Sequence, residues 1–297
     1  MTKKTKSKVT IGVCVRNCQD TIRDAIESII KQDFPHEFIE VIFVDDGSSD
    51  ETLSIIKEYL PKMDMKVKVF HHNWKGLGAS RNVVVKNASG DYIIWVDGDM
   101  ILPADHVRLQ VEFMEKNPNV GIAKAKYGLL PTKNIIGMLE NVPFMVNNSF
   151  KYKLPGTGGA IFRTKAIQQV GGFDDELFGA GEDLDVAYRI VSSKWLIKNS
   201  DATFFENSEQ SWRDLWKKYV WYGYGNYFLY KKNKCIFKIY KMIPPASFLA
   251  GLFYSFRAYR LINRKIVFLL PLHFLFKSVA WCLGFLLGYL AKKRGVN

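Results

Sequence analysis

The 297-residue chain has four cysteines, and none of them forms a zinc-like pair. Cys14 and Cys18 straddle a strand end as buried packing, and Cys235 and Cys282 stand apart, which suits a reduced, cytoplasmic protein. Glycine fingerprints for dinucleotides are missing. The loop after the first apolar strand, Arg16-Asn17-Cys18-Gln19-Asp20, holds no glycine. The run Gly76-Leu77-Gly78-Ala79-Ser80-Arg81 lacks the third glycine and follows the wrong strand, so a nicotinamide or flavin enzyme is not expected. A Walker loop is absent, as are internal repeats and low-complexity linkers. No secretory signal is expected, because Met1–Lys8 is basic and Val9–Val15 is too short for a signal core. Acids are scarce late in the chain: residues 211–297 hold sixteen Lys or Arg and one acid, Asp214, so the whole net charge of +13 resides there.

What is present is an alternation of strand and helix. Val9–Val15, Ile39–Val44, Lys66–Phe70 and Tyr92–Val96 read as strands. Between them, Asp20–Lys31 carries Ile22, Ala25, Ile26, Ile29 and Ile30 at helical spacing, and Gly78–Ala88 is a short helix. Ser48 and Glu51 have capping-box spacing ahead of another helix. Such alternation over about 100 residues predicts an α/β fold, a parallel sheet with helices on both faces.

The run Tyr92-Ile93-Ile94-Trp95-Val96-Asp97-Gly98-Asp99 ends an apolar strand in two carboxylates. Ligands of open α/β sheets bind outside the carboxyl ends of the strands. Two carboxylates there suit Mg²⁺ or Mn²⁺, which take one or two protein carboxylates and leave other positions to water and phosphate. A solvated Asp-Gly turn is the plainer alternative. Asp45 and Asp46 end the second strand on the same edge, where they could accept hydrogen bonds from a ribose or base.

Five motifs then occur in order: Val44-Asp45-Asp46-Gly47-Ser48-Ser49-Asp50; Gly76-Leu77-Gly78-Ala79-Ser80-Arg81-Asn82; Asp97-Gly98-Asp99; Gly156-Thr157-Gly158-Gly159-Ala160-Ile161-Phe162-Arg163; and Gly171-Gly172-Phe173-Asp174 with Gly181-Glu182-Asp183-Leu184-Asp185. Together, over roughly residues 8–230, the chain resembles the inverting family 2 glycosyltransferases of GT-A fold. That resemblance implies a Rossmann-like, mostly parallel sheet and transfer of a sugar from a nucleotide-diphosphate donor to a hydroxyl acceptor. It implies that Asp46, with Asp45 beside it, contacts base or ribose. Arg81 would lie near the nucleotide, Asp99 would ligate the metal, and Asp97 would stand nearby on the sugar or ribose. Asp183, with Glu182 beside it, would act as general base, and Gly158 and Gly159 would lie on the acceptor side. The family often places a histidine after the late strand. Here Ala202-Thr203-Phe204-Phe205 leads into Glu206 and Asn207, so Glu206 could serve as an oxygen ligand, or water could, and a solvated glutamate is the alternative. Processive relatives carry Gln-x-x-Arg-Trp; this chain has Gln210-Ser211-Trp212-Arg213-Asp214, which speaks against processivity.

The basic C-terminal part is also apolar and rich in Trp and Tyr. Such interleaving fits nucleic acid or a membrane surface. Ala246–Phe256 and the 25 residues Ile266–Leu290, interrupted only by His273 and Lys277, decide for the membrane and against nucleic acid. The second run is long enough to span. Lys277 near its centre and Pro271 near its start make an in-plane or hairpin pair a competitor. The expected organisation is a catalytic domain over 1–230 and membrane-associated helices over 231–297. Expected partners are a nucleotide sugar, a glycan or lipid-linked acceptor and the anionic cytoplasmic face of a membrane, with peripheral attachment or one to two spans. A polyprenyl-phosphate sugar transferase and a non-catalytic binder of sugar nucleotides or lipids are the alternatives.

Overall fold

The computed structural model describes residues 8–130, 134–146, 154–177, 179–207, 211–236 and 239–293. In chain order the first half contains β1 (Val9–Val15), α1 (Ile22–Ile30), β2 (Ile39–Asp45), α2 (Thr52–Tyr59), β3 (Lys66–His71), α3 (Leu77–Asn87), β4 (Tyr92–Val96), β5 (Met100–Ile101), α4 (His106–Lys116) and β6 (Val120–Tyr127). There follow α5 (Ile135–Val146), β7 (Ala160–Arg163), α6 (Thr164–Gln169), α7 (Glu182–Ser192), β8 (Leu196–Glu206), α8 (Trp212–Lys232), α9 (Pro244–Ile262) and α10 (Leu270–Lys293).

These elements form two compact units. The first comprises Met1–Gly128, Tyr152–Glu176 and Glu182–Asn207; the second comprises Leu129–Lys151, Leu177–Gly181 and Ser208–Asn297. The boundary expected at residue 230 lies inside α8. The observed division also assigns two earlier segments to the second unit.

The first unit is a mixed sheet ordered β3-β2-β1-β4-β7-β6-β8-β5. β1 runs parallel to β2 and β4, and β2 parallel to β3. Their carboxyl ends therefore share one edge, as the alternation of elements predicts. Side chains alternate between faces along each strand. Val9, Ile11 and Val13 of β1, Val41 and Phe43 of β2, and Ile94 and Val96 of β4 pack with α1, α2 and α4. Cys14, Ile42, Val44, Ile93 and Trp95 face the other way, against Val84 of α3, Ile167 of α6 and Ile190 of α7. Burial on both faces explains why these strands read as nearly continuous apolar runs.

The helix after β2 starts differently from the capping-box expectation. It begins at Thr52, and Asp50 Oδ1 accepts the Thr52 N–H at 3.0 Å. Ser48 is drawn away: its hydroxyl donates to Asp45 and accepts from the Asn17 N–H.

The second unit is helical. Leu139, Val142 and Val146 of α5 pack with Ala258 of α9 and Leu270 of α10. Pro271 sits in the first turn of α10, where its missing N–H costs nothing, so it does not interrupt the helix. Lys277 and His273 are not isolated charges in an apolar run. Glu140 of α5 accepts from Lys277 Nζ at 2.5 Å and lies 2.6 Å from His273 Nε2. At the start of α8, Ser211 Oγ accepts the Asp214 N–H at 3.1 Å, so Ser211 caps the helix and Asp214 lies in its first turn. Gln210, the first residue of the segment weighed for processivity, lies outside the described residues.

Candidate active site

The parallel strands deliver acids and histidines to one edge. Asp45 ends β2 and is fully buried. Its carboxylate accepts from the Ser48 N–H at 3.2 Å and the Ser48 hydroxyl, and it lies 2.7 Å from His71 Nδ1. Asp46 is 5% exposed. Its Oδ1 accepts the Lys75 N–H at 2.7 Å and its Oδ2 the Gly76 N–H at 3.0 Å. His72 Nδ1 stands 3.3 Å from the same Oδ1. Both acids thus shape the loops after β2 and β3 from within. The two histidines reach this edge because β3 lies beside β2.

Arg81, expected near the nucleotide and otherwise a surface helix residue, is buried on α3. Its guanidinium ion-pairs with Glu182 at the start of α7 and lies 3.4 Å from Asp97 Oδ1. Glu182 is therefore a buried partner of arginine. Burial pushes its carboxyl up, against the pull of the guanidinium. Its Oε2 is buried and has no hydrogen-bond partner among the described residues.

Asp183 is placed differently. Its Oδ1 accepts the Leu184 N–H at 2.7 Å. A Cβ on Gly156 would lie 2.8 Å from its Oδ2, and a Cβ on Gly158 would lie 3.0 Å from Asp97 Oδ2. The loop ahead of β7 therefore runs close to both Asp183 and Asp97, and a side chain at Gly156 or Gly158 would push the facing carboxylate aside. Gly159 turns the loop into β7 with φ of +64°. Burial raises the Asp183 carboxyl, opposed by Arg81, the Leu184 N–H and Lys124.

Asp97 and Asp99 flank Gly98 just past β4, both partly exposed. Glu206 joins them through strand pairing: it lies opposite Met100, and the Asn207 N–H donates to the Asp99 carbonyl at 3.0 Å. Among the described residues no three His, Cys, Asp or Glu side chains enclose a cation position. An all-oxygen edge of this kind fits a hard cation that takes the rest of its shell from water and phosphate.

One functional candidate escaped the sequence reading. Lys124 of β6 is 6% exposed, and its Nζ donates to the Gly158 carbonyl and, at 3.4 Å, to that of Gly156. Burial pushes its ammonium down to about 8, while the Glu206, Asp97 and Asp183 carboxylates hold it up. In Val120-Gly121-Ile122-Ala123-Lys124-Ala125-Lys126 it looks like one of two solvated lysines. The clue was that Lys124 shares a strand face with Ile122.

The model of glycosyl transferase family 2 matches residues 10–168, and that of glycosyl transferase family group 2 matches 92–292. The chain belongs to glycosyl transferase family 2 and has the GT-A fold. It is 26% identical over 223 residues to the poly(ribitol-phosphate) beta-N-acetylglucosaminyltransferase TarS of Staphylococcus aureus, covering 72% of this chain and 38% of that protein. It is 24% identical to the poly-beta-1,6-N-acetyl-D-glucosamine synthase of Staphylococcus epidermidis, covering 71% and 52%. The chain thus spans about half or less of these relatives' length. Among solved structures, the mannosyltransferase PcManGT of Pyrobaculum calidifontis, in complex with GDP-Man and Mn²⁺, superposes with a TM-score of 0.69 at 17% identity. That match covers 97% of this chain and 89% of the other. TarS residues 1–349 give 0.52 at 17%, covering 97% and 92%. At these identities the likeness shows the fold.

Proposed function

We propose that the chain transfers a sugar from a nucleotide-diphosphate donor to a hydroxyl acceptor, with inversion at the anomeric carbon. The observation that carries this reading is the glycine loop lying close to both Asp97 on the donor edge and Asp183. The acceptor is a lipid-linked glycan or a cell-surface polysaccharide precursor, in keeping with the polymer named for each curated relative.

In this reading Asp97 and Asp99 hold Mg²⁺ or Mn²⁺, with Glu206 as a further oxygen. The cation, when bound, neutralises charge on the departing diphosphate. Asp45 and Asp46 shape the donor wall, and Arg81 holds Asp97 and Glu182 in place. Asp183 Oδ2 takes the proton of the acceptor hydroxyl as the acceptor oxygen bonds to the anomeric carbon, while the bond to the diphosphate breaks on the opposite face. A carboxyl raised by burial is a better base than a solvated one.

A panel of nucleotide sugars tests the donor assignment by thermal shift. One donor should stabilise the protein only with Mg²⁺ or Mn²⁺, by about 2.7 kcal/mol at a hundredfold excess over Kd. Asp99→Ala should lose that metal-dependent part. No shift with any nucleotide sugar and either cation would sink the assignment.

We further propose that the helical unit attaches the enzyme to the cytoplasmic face of a membrane. Lys265–Lys292 is long and apolar enough to cross one, and an 18-residue window within it has mean hydropathy 1.9. Leu249, Leu252, Phe253 and Phe256 form an exposed stripe on α9 at helical spacing. Exposed Arg257, Arg260, Arg264 and Lys265 lie along and just beyond it. Each basic residue near anionic headgroups contributes about 1 kcal/mol, which salt screens; apolar insertion is not screened. High salt should therefore leave the full chain on anionic vesicles, whereas Phe253→Asp/Phe256→Asp should shift it toward the wash. Full chain that ignores vesicles at low salt would end the membrane reading.

A further inference from the structure

Lys124 is an expensive residue for its place. A buried ammonium loses its hydration, and a methionine would fill the same volume without that cost. Its neighbours show what the charge is used for. Nζ reaches the carbonyls of Gly156 and Gly158, and it stands 4.9 Å from the centroid of the Phe204 ring. The strand register brings it there: Lys124 pairs with Ala160, the first residue of β7, so its side chain runs beside the loop that enters β7. The two carbonyls it binds belong to the two glycines that meet the site acids. Gly156 lies against Asp183 Oδ2 and Gly158 against Asp97 Oδ2. A single side chain thus ties both points at which the loop touches the acids.

We propose that Lys124 is a positioning residue of the transfer reaction, its ammonium fixing the Gly156 and Gly158 carbonyls and so the spacing between Asp183 and the donor-side Asp97. This rests on the transferase reading given above. Glycine is the least restrained residue in the unfolded and loop states, so a loop of three glycines in four residues does not hold a distance unaided. Misplacing a reacting group by about 1 Å can lower turnover by about 10²-fold without touching the reacting atoms. The loop tie therefore affects the step in which acceptor, base and donor must align, and it leaves initial donor binding to the Asp46 and Asp99 side.

The test compares Lys124→Met with Lys124→Gln. Methionine removes the donor; glutamine retains an N–H₂ that can reach a carbonyl. Lys124→Met should lower kcat for transfer by about 10²-fold, with donor KM and the metal-dependent donor thermal shift within about threefold of wild type. Lys124→Gln should recover about tenfold of that loss. Three results overturn the proposal: unchanged kcat in Lys124→Met, loss of donor affinity in step with kcat, or equal loss in both variants. Should Lys124→Met fail to fold, Lys124→Gln decides alone: lowered kcat at constant donor KM supports the tie, and any other pattern overturns it. Wild-type transfer is the control that separates the two levels. If the wild type transfers no sugar, the transferase reading itself fails and the role of Lys124 falls with it.

Discussion

Asp183→Asn should lower sugar transfer by about 10²–10⁴, the usual contribution of general-base catalysis, and leave donor affinity nearly unchanged. The substitution keeps the shape and the oxygen that accepts the Leu184 N–H, so α7 starts as before. It removes the negative charge at Oδ2, the atom beside Gly156. An amide cannot take the acceptor proton. Steady-state kinetics with donor and acceptor varied separately make the measurement. A large fall in kcat at constant donor KM supports the base; undiminished transfer to a hydroxyl acceptor would remove Asp183 from that role. The same experiment sorts acceptors. A lipid phosphate is already ionised and needs no base, so a small effect with a polyprenyl phosphate would identify that acceptor class instead.

Arg81→Met should destabilise the fold by about 3–5 kcal/mol, the cost of leaving one member of a buried ion pair alone. The side chains of Arg81 and Glu182 are 4% and 2% exposed, so solvent cannot replace the lost partner. The double variant Arg81→Met/Glu182→Leu should regain most of the loss, because removing both charges removes the orphan. The sign of the pH dependence follows from the raised Glu182 carboxyl. Its proton is held more tightly in the folded chain than in the unfolded one, where the ordinary value is 4.5. Glu182 stands at about 7 in the folded chain and rises further without Arg81, so the single variant's deficit should grow as pH rises through and above 7 and be smallest below it. Denaturant unfolding across pH measures this. A deficit below about 1 kcal/mol that ignores pH would show that the pair contributes little.

Much of this was legible because strand and helix announce themselves through periodicity. The positions of Asp97 and Asp99 follow from where an apolar strand stops, and the shared edge with Asp45 and Asp46 follows from parallel topology. What escaped was pairing at long range. Arg81 finds Glu182 101 residues away, a buried ion pair that no local pattern announces. Lys124 was hidden because a lysine's own chemistry suggests solvent, and only the antiparallel register with β7 brings its side chain to the glycine loop. Ser48 has the right spacing for a helix cap, yet the stronger acceptor Asp45 takes its hydroxyl. In the helical unit, Lys277 looks like a lone charge until Glu140 is placed beside it.

The origin of Glu140 in an early segment has a consequence for the order of folding. Its two basic partners follow 133 and 137 residues later, and the apolar residues of α5 pack against the same late helices. During synthesis α5 therefore emerges with a carboxylate and an oily face that have no native partners until the last helices are made. Contacts of such sequence separation form late, and exposed apolar surface in the interval invites misassembly. A chain cut before α9 would retain α5 in that condition permanently, so shortening the protein from its C-terminal side would disturb the middle of the sequence as well as its end.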